Sequence, residues 1–269
     1  MPRRDDYREG VEIIDLPDEE LGVDRRQRAA RSDPRHAPNR QLPPPSPFHV
    51  RAAGEVRPAR SLCIARRPDS FASQQYRLLK YKLKEGLDPR IIGVTSPRRS
   101  EGKTTAAANL GLALAEGRRV RIMLLDLNLR QPALSAMFGI PTPGGMGEQL
   151  RRRRRDPEAY WDVLELGSRL HLMGGSDALE NPAALLNSDE LTGMLSDLSE
   201  RYDYVVVDLP AVLIAADVKI VQEQLDALVL VCRAGLSTRT TIASAMSQLG
   251  GAKVQGILLL DVNDRYIPR

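Results

Sequence analysis

One ten-residue segment carries the residue types that bind phosphate. It reads Ser96-Pro-Arg-Arg-Ser-Glu-Gly-Lys-Thr-Thr105 and lies between a short apolar run and an alanine- and leucine-rich stretch. A loop between a strand and a helix can point its backbone N–H groups and the positive end of the helix at phosphate oxygens. Lys103 adds a mobile charge for the β- and γ-phosphates, and the Thr104 hydroxyl can ligate Mg²⁺. The segment therefore predicts a nucleotide site, with Pro97 where the usual G-x-x-x-x-G-K-[ST] pattern has its first glycine.

Two aspartates strengthen this prediction. Asp126 and Asp208 each end a short apolar run that is typical of a buried strand. Because the carboxyl ends of parallel strands share one edge of a sheet, both carboxylates are expected beside the phosphate loop. There they can hold a hydrated Mg²⁺ and orient a nucleophile. A lone aspartate at a strand end is more often a turn or cap residue, whereas a pair beside a Gly-Lys-Thr loop indicates a nucleotide site.

The elements that must position these residues alternate along the chain. Apolar runs predict strands at residues 91–95, 120–126, 170–173, 204–208, 227–232 and 254–260. Helical patterns occupy residues 70–86 and 104–116, and Asn187 with Glu190 predicts the capped start of another helix. Strands alternating with helices predict an α/β fold with a mainly parallel sheet and helices on both faces.

The first 60 residues differ from the rest in composition. They hold nine of the 19 prolines, and the first lysine of the chain is Lys80. Mixed charges without periodicity predict a disordered Arg/Pro-rich tail over residues 1–60 and one nucleotide-binding domain over residues 61–269. The apolar stretch at 11–16 is either a peptide that docks on a partner or a transient strand.

Composition argues against several other classes. Hydrophobic residues make up 42% of the chain, enough for a core, while the aromatic content of 4% argues against a nucleic-acid binder that stacks bases. The formal charge of +4 over 269 residues specifies no partner. Cys63 and Cys232 suggest neither a disulfide framework nor a zinc site. The apolar runs are far shorter than the ~20 residues of a membrane span, so we expect a cytoplasmic protein that reaches any membrane process through a partner.

Three motifs together resemble a known family. They are residues 95–105, Leu124-Leu-Asp-Leu-Asn-Leu-Arg-Gln-Pro132 and Tyr202-Asp-Tyr-Val-Val-Val-Asp-Leu-Pro210, with shorter supporting stretches at 137–140, 181–186 and 231–235. These segments look like the nucleotide motifs of the bacterial tyrosine kinases (BY-kinases), the CpsD/CapB-like kinases of capsule and exopolysaccharide biosynthesis. That family is related to the MinD/ParA ATPases. The resemblance covers about residues 70–262 and implies a P-loop kinase/ATPase domain of the deviant Walker A type.

The resemblance implies an ATP-dependent protein-tyrosine autokinase that regulates polysaccharide synthesis or export. Lys103 and Thr104 would hold ATP and Mg²⁺, Asp126 would be the base that activates a tyrosine hydroxyl, and Asp208 would complete the shell of the metal. Further nucleotide-binding residues implied by the resemblance are Arg99, Ser100, Glu101, Gly102, Thr105 and Arg233. Members without membrane spans usually pair with a transmembrane activator of the chain-length-regulator type, which would recruit the chain to the inner face of the membrane.

Departures from the family pattern keep other functions open. The family has different residues at the positions of Ser100, Asn128, Leu209, Ala211 and Leu260. Asn128 keeps a hydrogen-bonding oxygen but lacks the charge of the family's second aspartate. A second hypothesis is therefore an ATP-binding pseudokinase whose nucleotide state drives oligomerisation. A third, a MinD/ParA-type positioning ATPase, normally has a signature lysine where this chain has Arg98.

Three more features concern assembly and regulation. The family's oligomerisation helix carries Glu-x-x-Arg-x-x-Arg, and the aligned residues are Gln74, Arg77 and Lys80, so ion pairs between subunits would be weaker or different. The family's C-terminal tyrosine cluster is missing, and Tyr266 is the phosphoacceptor candidate near the end. The five arginines at 151–155 are either a solvated loop or helix end, or a surface for an acidic partner or anionic lipid. Nucleic acid is the weakest reading of that run.

Overall fold

A computed structural model of the 269-residue chain describes residues 10–14, 47–86, 88–117, 120–141, 144–175, 177–250 and 253–262. The strands in these ranges are β1 Gly10–Ile14, β2 Phe48–Ala52, β3 Ile91–Thr95, β4 Ile122–Asp126, β5 Trp161–Gly167, β6 Leu170–Met173, β7 Tyr204–Asp208, β8 Ala227–Arg233 and β9 Val254–Val262. The helices are α1 Cys63–Arg66, α2 Phe71–Glu85, α3 Lys103–Ala115, α4 Leu134–Met137, α5 Met146–Arg155, α6 Ala183–Leu186, α7 Asp189–Arg201, α8 Asp217–Val221 and α9 Arg239–Leu249, with a 3₁₀ turn at Gln222–Gln224.

The strands form one sheet in the order β1-β9-β8-β3-β7-β4-β6-β5-β2. The six central strands, from β9 to β6, are mutually parallel, and they are the six that the apolar runs predict. The direction reverses at both ends, because β1 is antiparallel to β9 and β5 is antiparallel to β6, while β2 pairs parallel with β5. The predicted α/β class with a mainly parallel sheet is confirmed.

The core lies on both faces of this sheet. Successive strand residues point to opposite faces, so Leu124 and Val206 belong to one buried cluster while Leu125 and Val207 belong to the other. Strands β3, β4 and β7 are buried at every position, as expected for parallel strands covered by helices on both sides. Among the described residues, no helix combines the length and the apolar character needed to cross a membrane.

Local signals explain where the helices begin. The Ser70 side chain accepts a hydrogen bond from Ser73 N at the start of α2, and the helix then buries Tyr76 and Leu79 on one face. The cap of α7 is Ser188, whose side chain accepts from Leu191 N, so the predicted cap at Asn187 is wrong by one residue.

The predicted disorder of residues 1–60 does not hold for two stretches. Residues 10–14 form β1 at one edge of the sheet, where Val11 is buried, and residues 48–52 form β2 at the opposite edge, where Phe48 is buried. Each strand has only a few apolar residues of its own, and its hydrogen bonds come from a partner strand that is remote in sequence. Residues 1–9 and 15–46 of the predicted tail lie outside the described residues.

Candidate active site

The phosphate-loop segment has the predicted order of strand, loop and helix. It leaves β3 at Thr95 and enters α3 at Lys103, with Gly102 as the N-cap residue. Gly102 has a φ of 90°, and a Cβ there would lie 2.5 Å from Leu260 Cδ1. The backbone conformation therefore favours glycine, and a larger residue would also require the end of the Leu260 side chain to shift. Ser100 has a φ of 63°, which places a non-glycine residue in the left-handed region of the same loop.

A strap of backbone hydrogen bonds holds the start of the loop. Val212 N donates to Ser96 O at 2.9 Å, and Leu213 N donates to Pro97 O at 3.2 Å. The Thr95 hydroxyl donates to Pro210 O at 2.7 Å. Pro97 has no backbone N–H group, and its carbonyl accepts one of these hydrogen bonds. The segment after β7 thus fixes the loop next to Asp208.

Glu101 braces the loop from inside. Its side chain is buried and accepts hydrogen bonds from Arg98 N at 2.8 Å and from the Ser237 hydroxyl at 2.7 Å. The predicted nucleotide-binding role of Glu101 stays a prediction, but its carboxylate is engaged within the protein. Ser237 was not expected from the sequence, because a single serine 136 residues away along the chain carries no local signal.

Lys103, Thr104 and Asp208 come together as predicted. The Thr104 hydroxyl donates to Asp208 Oδ2 at 2.6 Å, and Lys103 Nζ lies 3.8 Å from Asp208 Oδ1. Asp208 Oδ1 is buried and accepts no hydrogen bond from any described residue. Burial raises the pKa of Asp208, while Lys103 and the Thr104 hydroxyl lower it.

Asp126 lies next to Asp208 on the adjacent strand and is 1% exposed. Its Oδ2 accepts hydrogen bonds from Ala133 N and Leu134 N, both at 2.9 Å, and its Oδ1 accepts from Asn128 N at 3.1 Å. Burial and the neighbouring Asp208 raise the pKa of Asp126 to about 7, against the effect of the three backbone donors. A carboxyl with such a pKa can take up and release a proton near neutral pH.

The oxygen atoms at this place fit Mg²⁺. They include two carboxylates and one hydroxyl, with one carboxylate oxygen buried and without a hydrogen bond. Hard oxygen donors are what this ion prefers, and it commonly takes one or two carboxylates together with nucleotide phosphates and waters. No group of three His, Cys, Asp or Glu side chains in the described residues forms a metal cluster of its own. The donor set therefore suits a metal that arrives with a phosphate ligand.

An open cleft lies beside these groups. Its lining residues are Arg99, Ser100, Lys103, Asn128, Arg130, Gln131, Pro210, Ala211, Ile214 and Ala215. Asn128 is buried, and its Nδ2 donates to Gln131 O at 2.6 Å. The amide, at a position where the family has a carboxylate, therefore forms a hydrogen bond within its own turn. Asp126 and Asp208 do not line this cleft themselves, but they contact Asn128 and Lys103, which do.

Arg130 is a residue of the cleft that the sequence reasoning did not single out. Its Nε donates to Asp217 Oδ2 at 2.7 Å and its NH1 donates to Glu180 O at 2.6 Å. Asp217 is buried, so removing Arg130 would leave a buried charge without its partner. The second motif, in which Arg130 lies two residues after Asn128, is the signal that could have identified it.

The remaining predicted nucleotide residues have different surroundings. Arg99 is exposed at the cleft, and Thr105 is partly buried in the first turn of α3. Arg233 pairs with Asp261, and its NH1 donates to Ser100 O at 3.2 Å, so the guanidinium holds the outside of the loop and does not line the cleft.

The predicted assembly residues are used within the chain. Arg77 forms a two-pronged pair with Glu116, at 2.8 and 2.7 Å, and Lys80 Nζ donates to Ala113 O at 2.7 Å at the end of α3. Gln74 is exposed on α2. The two other predicted features have different outcomes. The five arginines at 151–155 form the C-terminal half of α5, as the helix-end reading predicts. Tyr266 lies outside the described residues.

The fold and site together define a P-loop nucleotide-binding protein. No family model matches the chain. Among curated proteins, it is 28% identical over 197 residues to tyrosine-protein kinase YwqD of Bacillus subtilis, covering 72% of this chain and 82% of the relative. It is also 28% identical over 182 residues to tyrosine-protein kinase CpsD of Streptococcus agalactiae, covering 66% and 78%. The chain is a homologue of the bacterial tyrosine kinases.

Solved structures agree with this relationship. The BceF tyrosine kinase domain is 28% identical with a TM-score of 0.63, covering 77% of this chain and 83% of that one. The kinase domain of the Escherichia coli tyrosine kinase ETK has a TM-score of 0.68 at 22% identity, covering 77% and 82%, and shows the shared fold. The cell division ATPase MinD of Pyrococcus furiosus has the same fold more distantly, with a TM-score of 0.50 at 23% identity over 62% and 69%.

Proposed function

We propose that the chain is an ATP-dependent protein-tyrosine autokinase that regulates polysaccharide synthesis or export. The observation that carries the proposal is the placement of Asp126 beside Asp208, which Thr104 and Lys103 contact in turn. The names of the relatives, tyrosine-protein kinases in each case, support the same activity.

Each residue has a defined task in this proposal. Lys103 and the backbone N–H groups of the loop would hold the phosphates, and Thr104 with Asp208 would hold Mg²⁺. The bound ATP·Mg supplies the phosphoryl group and neutralises part of its charge. Asp126 would accept the proton of the attacking tyrosine hydroxyl, a task that suits a carboxyl with a pKa near neutral pH.

A pseudokinase is the second candidate, and a specific observation favours it. The Asp126 carboxylate is buried and already accepts three backbone hydrogen bonds, while the amide of Asn128 donates to Gln131 O. The chain would then bind ATP and use its nucleotide state to control association with an export partner, without transferring phosphate.

A MinD/ParA-type positioning ATPase is less well supported. Arg98, at the position of the signature lysine, is exposed, and its backbone N–H donates to Glu101.

The partner we propose is the one expected for the kinase family, a transmembrane activator of the chain-length-regulator type that recruits the chain to the cell membrane. Self-association through α2 is part of the same proposal, although Arg77 and Lys80 are held within the chain.

One experiment separates the first two functions. The full chain is incubated with Mg²⁺, γ-labelled ATP and the cytoplasmic segment of an activator, and phosphotyrosine is quantified beside equilibrium binding of a fluorescent ATP analogue. Lys103→Met should abolish label and weaken binding, since the ammonium contacts the phosphates. Lys219→Met is the matched control, because Lys219 is exposed on α8.

The outcomes point to different functions. Label in the wild-type chain that is absent from Lys103→Met supports the kinase. Binding without label in the wild-type chain overturns the kinase proposal in favour of the pseudokinase. A wild-type chain that neither binds ATP nor becomes labelled contradicts both proposals.

A further inference from the structure

An autokinase needs an accessible tyrosine, and few of the described tyrosines qualify. Five of the seven tyrosines lie in the described ranges. Tyr76, Tyr202 and Tyr204 are buried, whereas Tyr81 is 56% exposed and Tyr160 is 63% exposed. The two exposed side chains differ in their surroundings.

The loop that carries Tyr160 is fixed while its side chain projects outward. Arg153 NH1 donates to Ala159 O at 2.7 Å, and Arg152 NH2 donates to Tyr160 O and to Asp162 Oδ2. A turn between Asp156 O and Ala159 N closes the same loop. The Tyr160 hydroxyl makes no hydrogen bond to any residue that the structure describes. The backbone therefore holds a free phenol at a defined position.

The loop and the helix before it carry charges of both signs, with five arginines at 151–155 against Asp156, Glu158 and Asp162, and Arg152 pairs with Asp162. Arg151 and Arg155 are exposed, and neither forms an ion pair within the described ranges. Guanidinium groups form strong, charge-assisted hydrogen bonds with phosphate oxygens. Tyr81 differs, because its hydroxyl donates to Glu85 and a phosphate there would meet a negative carboxylate. The comparison favours Tyr160 over Tyr81.

The sheet places Tyr160 at the edge that holds the candidate active site. Strand β5 begins one residue after Tyr160 and runs antiparallel to β6, so it starts where the parallel strands end. Gly174, just after β6, lies against Asp126, because a Cβ on this glycine would be 3.2 Å from the Asp126 Cβ. Strand β6 nevertheless lies between β5, which begins just after Tyr160, and β4, which ends at Asp126. A second copy of the chain can approach the same edge.

We propose that Tyr160 is a phosphate-acceptor site that one copy of the chain modifies on another. The inference rests on the proposed kinase function. The Tyr160 oxygen forms the bond to the γ-phosphorus of ATP, and the bond from that phosphorus to the β,γ-bridging oxygen breaks. ADP leaves with the bonding electron pair, and the phenolic proton passes to the carboxylate of Asp126 in the acting copy. The product phosphate would be carried by the loop that Arg152 and Arg153 of α5 hold through its backbone carbonyls.

Mixing two full-length variants tests this site. Tyr160→Phe serves as the enzyme and Lys103→Met as the acceptor, with Mg²⁺, ATP and the activator segment present. Trypsin releases residues 156–169 as one peptide in which Tyr160 is the single tyrosine, so mass spectrometry identifies the site directly. We expect phosphate on this peptide of the acceptor. The label should be lost from an acceptor that carries Lys103→Met and Tyr160→Phe, and kept in the matched acceptor with Lys103→Met and Tyr81→Phe.

Other results have distinct meanings. Phosphotyrosine elsewhere in the acceptor, with none on residues 156–169, overturns the Tyr160 site and leaves the kinase proposal intact. Label on Tyr160 of the wild-type chain but never on the Lys103→Met acceptor overturns transfer between copies. No phosphotyrosine in any mixture contradicts both proposals. Thermal unfolding of Tyr160→Phe is measured in parallel and should match the wild type, because the side chain is mostly exposed.

Discussion

Asp126 and Asp208 are paired in register on the adjacent parallel strands β4 and β7, and both are almost completely buried. Two buried carboxylates this close resist simultaneous ionisation. Lys103 and the Thr104 hydroxyl lie at Asp208 and favour its charged form, whereas no cationic side chain in the described ranges pairs with Asp126. Asp126 therefore has no cation of its own to stabilise its charged form, whereas Asp208 has Lys103.

This pairing predicts the pH dependence of phosphotransfer. The pKa of Asp126 is raised to about 7, so the carboxyl is mostly protonated below that pH and cannot act as a base. The kcat/KM for ATP, which reports the free enzyme, should rise about tenfold per pH unit below 7 and level off above it. Initial rates at subsaturating ATP·Mg between pH 5.5 and 9 check this. A rate that is flat from pH 5.5 to 8 would remove Asp126 from the role of base.

Gly102→Ala should damage the loop. Alanine in the left-handed region costs about 1–2 kcal/mol, and its Cβ would also lie 2.5 Å from Leu260 Cδ1. We expect a lower free energy of unfolding in urea and a weakened affinity for ATP. Gly193→Ala is the matched control: this exposed glycine lies inside α7 with open space around it, so alanine should stabilise by about 0.5–1 kcal/mol. Equal effects of the two substitutions would contradict the strain assigned to Gly102.

Ser100→Gly should instead increase the stability of the chain. Ser100 adopts a φ of 63°, which glycine reaches without steric cost, and the side chain is exposed with little packing to lose. We expect the free energy of unfolding to increase by about 0.5–1 kcal/mol, the left-handed cost being partly offset by the greater entropy of glycine in the unfolded chain. Urea denaturation measures the change. A clear loss of stability would show that the serine side chain makes a contribution that its exposure does not suggest.

The Arg77–Glu116 pair should stabilise the chain by fastening α2 to the end of α3. A double-mutant cycle with alanine at both positions is expected to give a coupling of about 0.5–1 kcal/mol, because the pair is two-pronged but its side chains are 28% and 33% exposed. The Arg57–Glu55 pair, whose side chains are 71% and 72% exposed, should give no measurable coupling. If Arg77→Ala changes the oligomer mass without changing stability, the residue acts between subunits instead.

Removing residues 1–60 should harm the domain. The deletion takes away β1 and β2 and leaves the unpaired edges of β9 and β5 open to other chains. We expect a lower melting temperature and self-association in light scattering. A truncated chain that is as stable and as monodisperse as the full chain would restore the predicted boundary at residue 61.

The fold could be predicted from sequence where strands are mostly apolar. All six parallel strands are predicted, because burial on both faces favours hydrophobic runs, although β6 contains His171 and β9 contains Gln255. No strand is predicted at β2 or β5, and a transient strand is one of the two alternatives predicted for residues 11–16. These strands lie toward the ends of the sheet, where buried and exposed positions are mixed. Val11 and Phe48 are buried only through partners that lie far away in the sequence.

The site could be predicted in part for the same reason. Local motifs brought Lys103, Thr104 and Asp208 to one place, because a loop and two strand ends share an edge of the sheet. Two other contacts join residues more than 130 positions apart in the sequence. The Ser237 hydroxyl donates to Glu101, and Arg233 donates to Ser100 O on the outside of the loop. No local pattern records such contacts.

Leu260 links two distant parts of the chain. It fills the space that a side chain on Gly102 would need, and it pairs in register with Val11 of β1. Strand β1 thus pairs with a residue, Leu260, that itself lies against the phosphate loop. A fluorophore on Glu12 of β1 should therefore report nucleotide arrival at the phosphate loop, which makes this edge strand a natural place for an optical reporter.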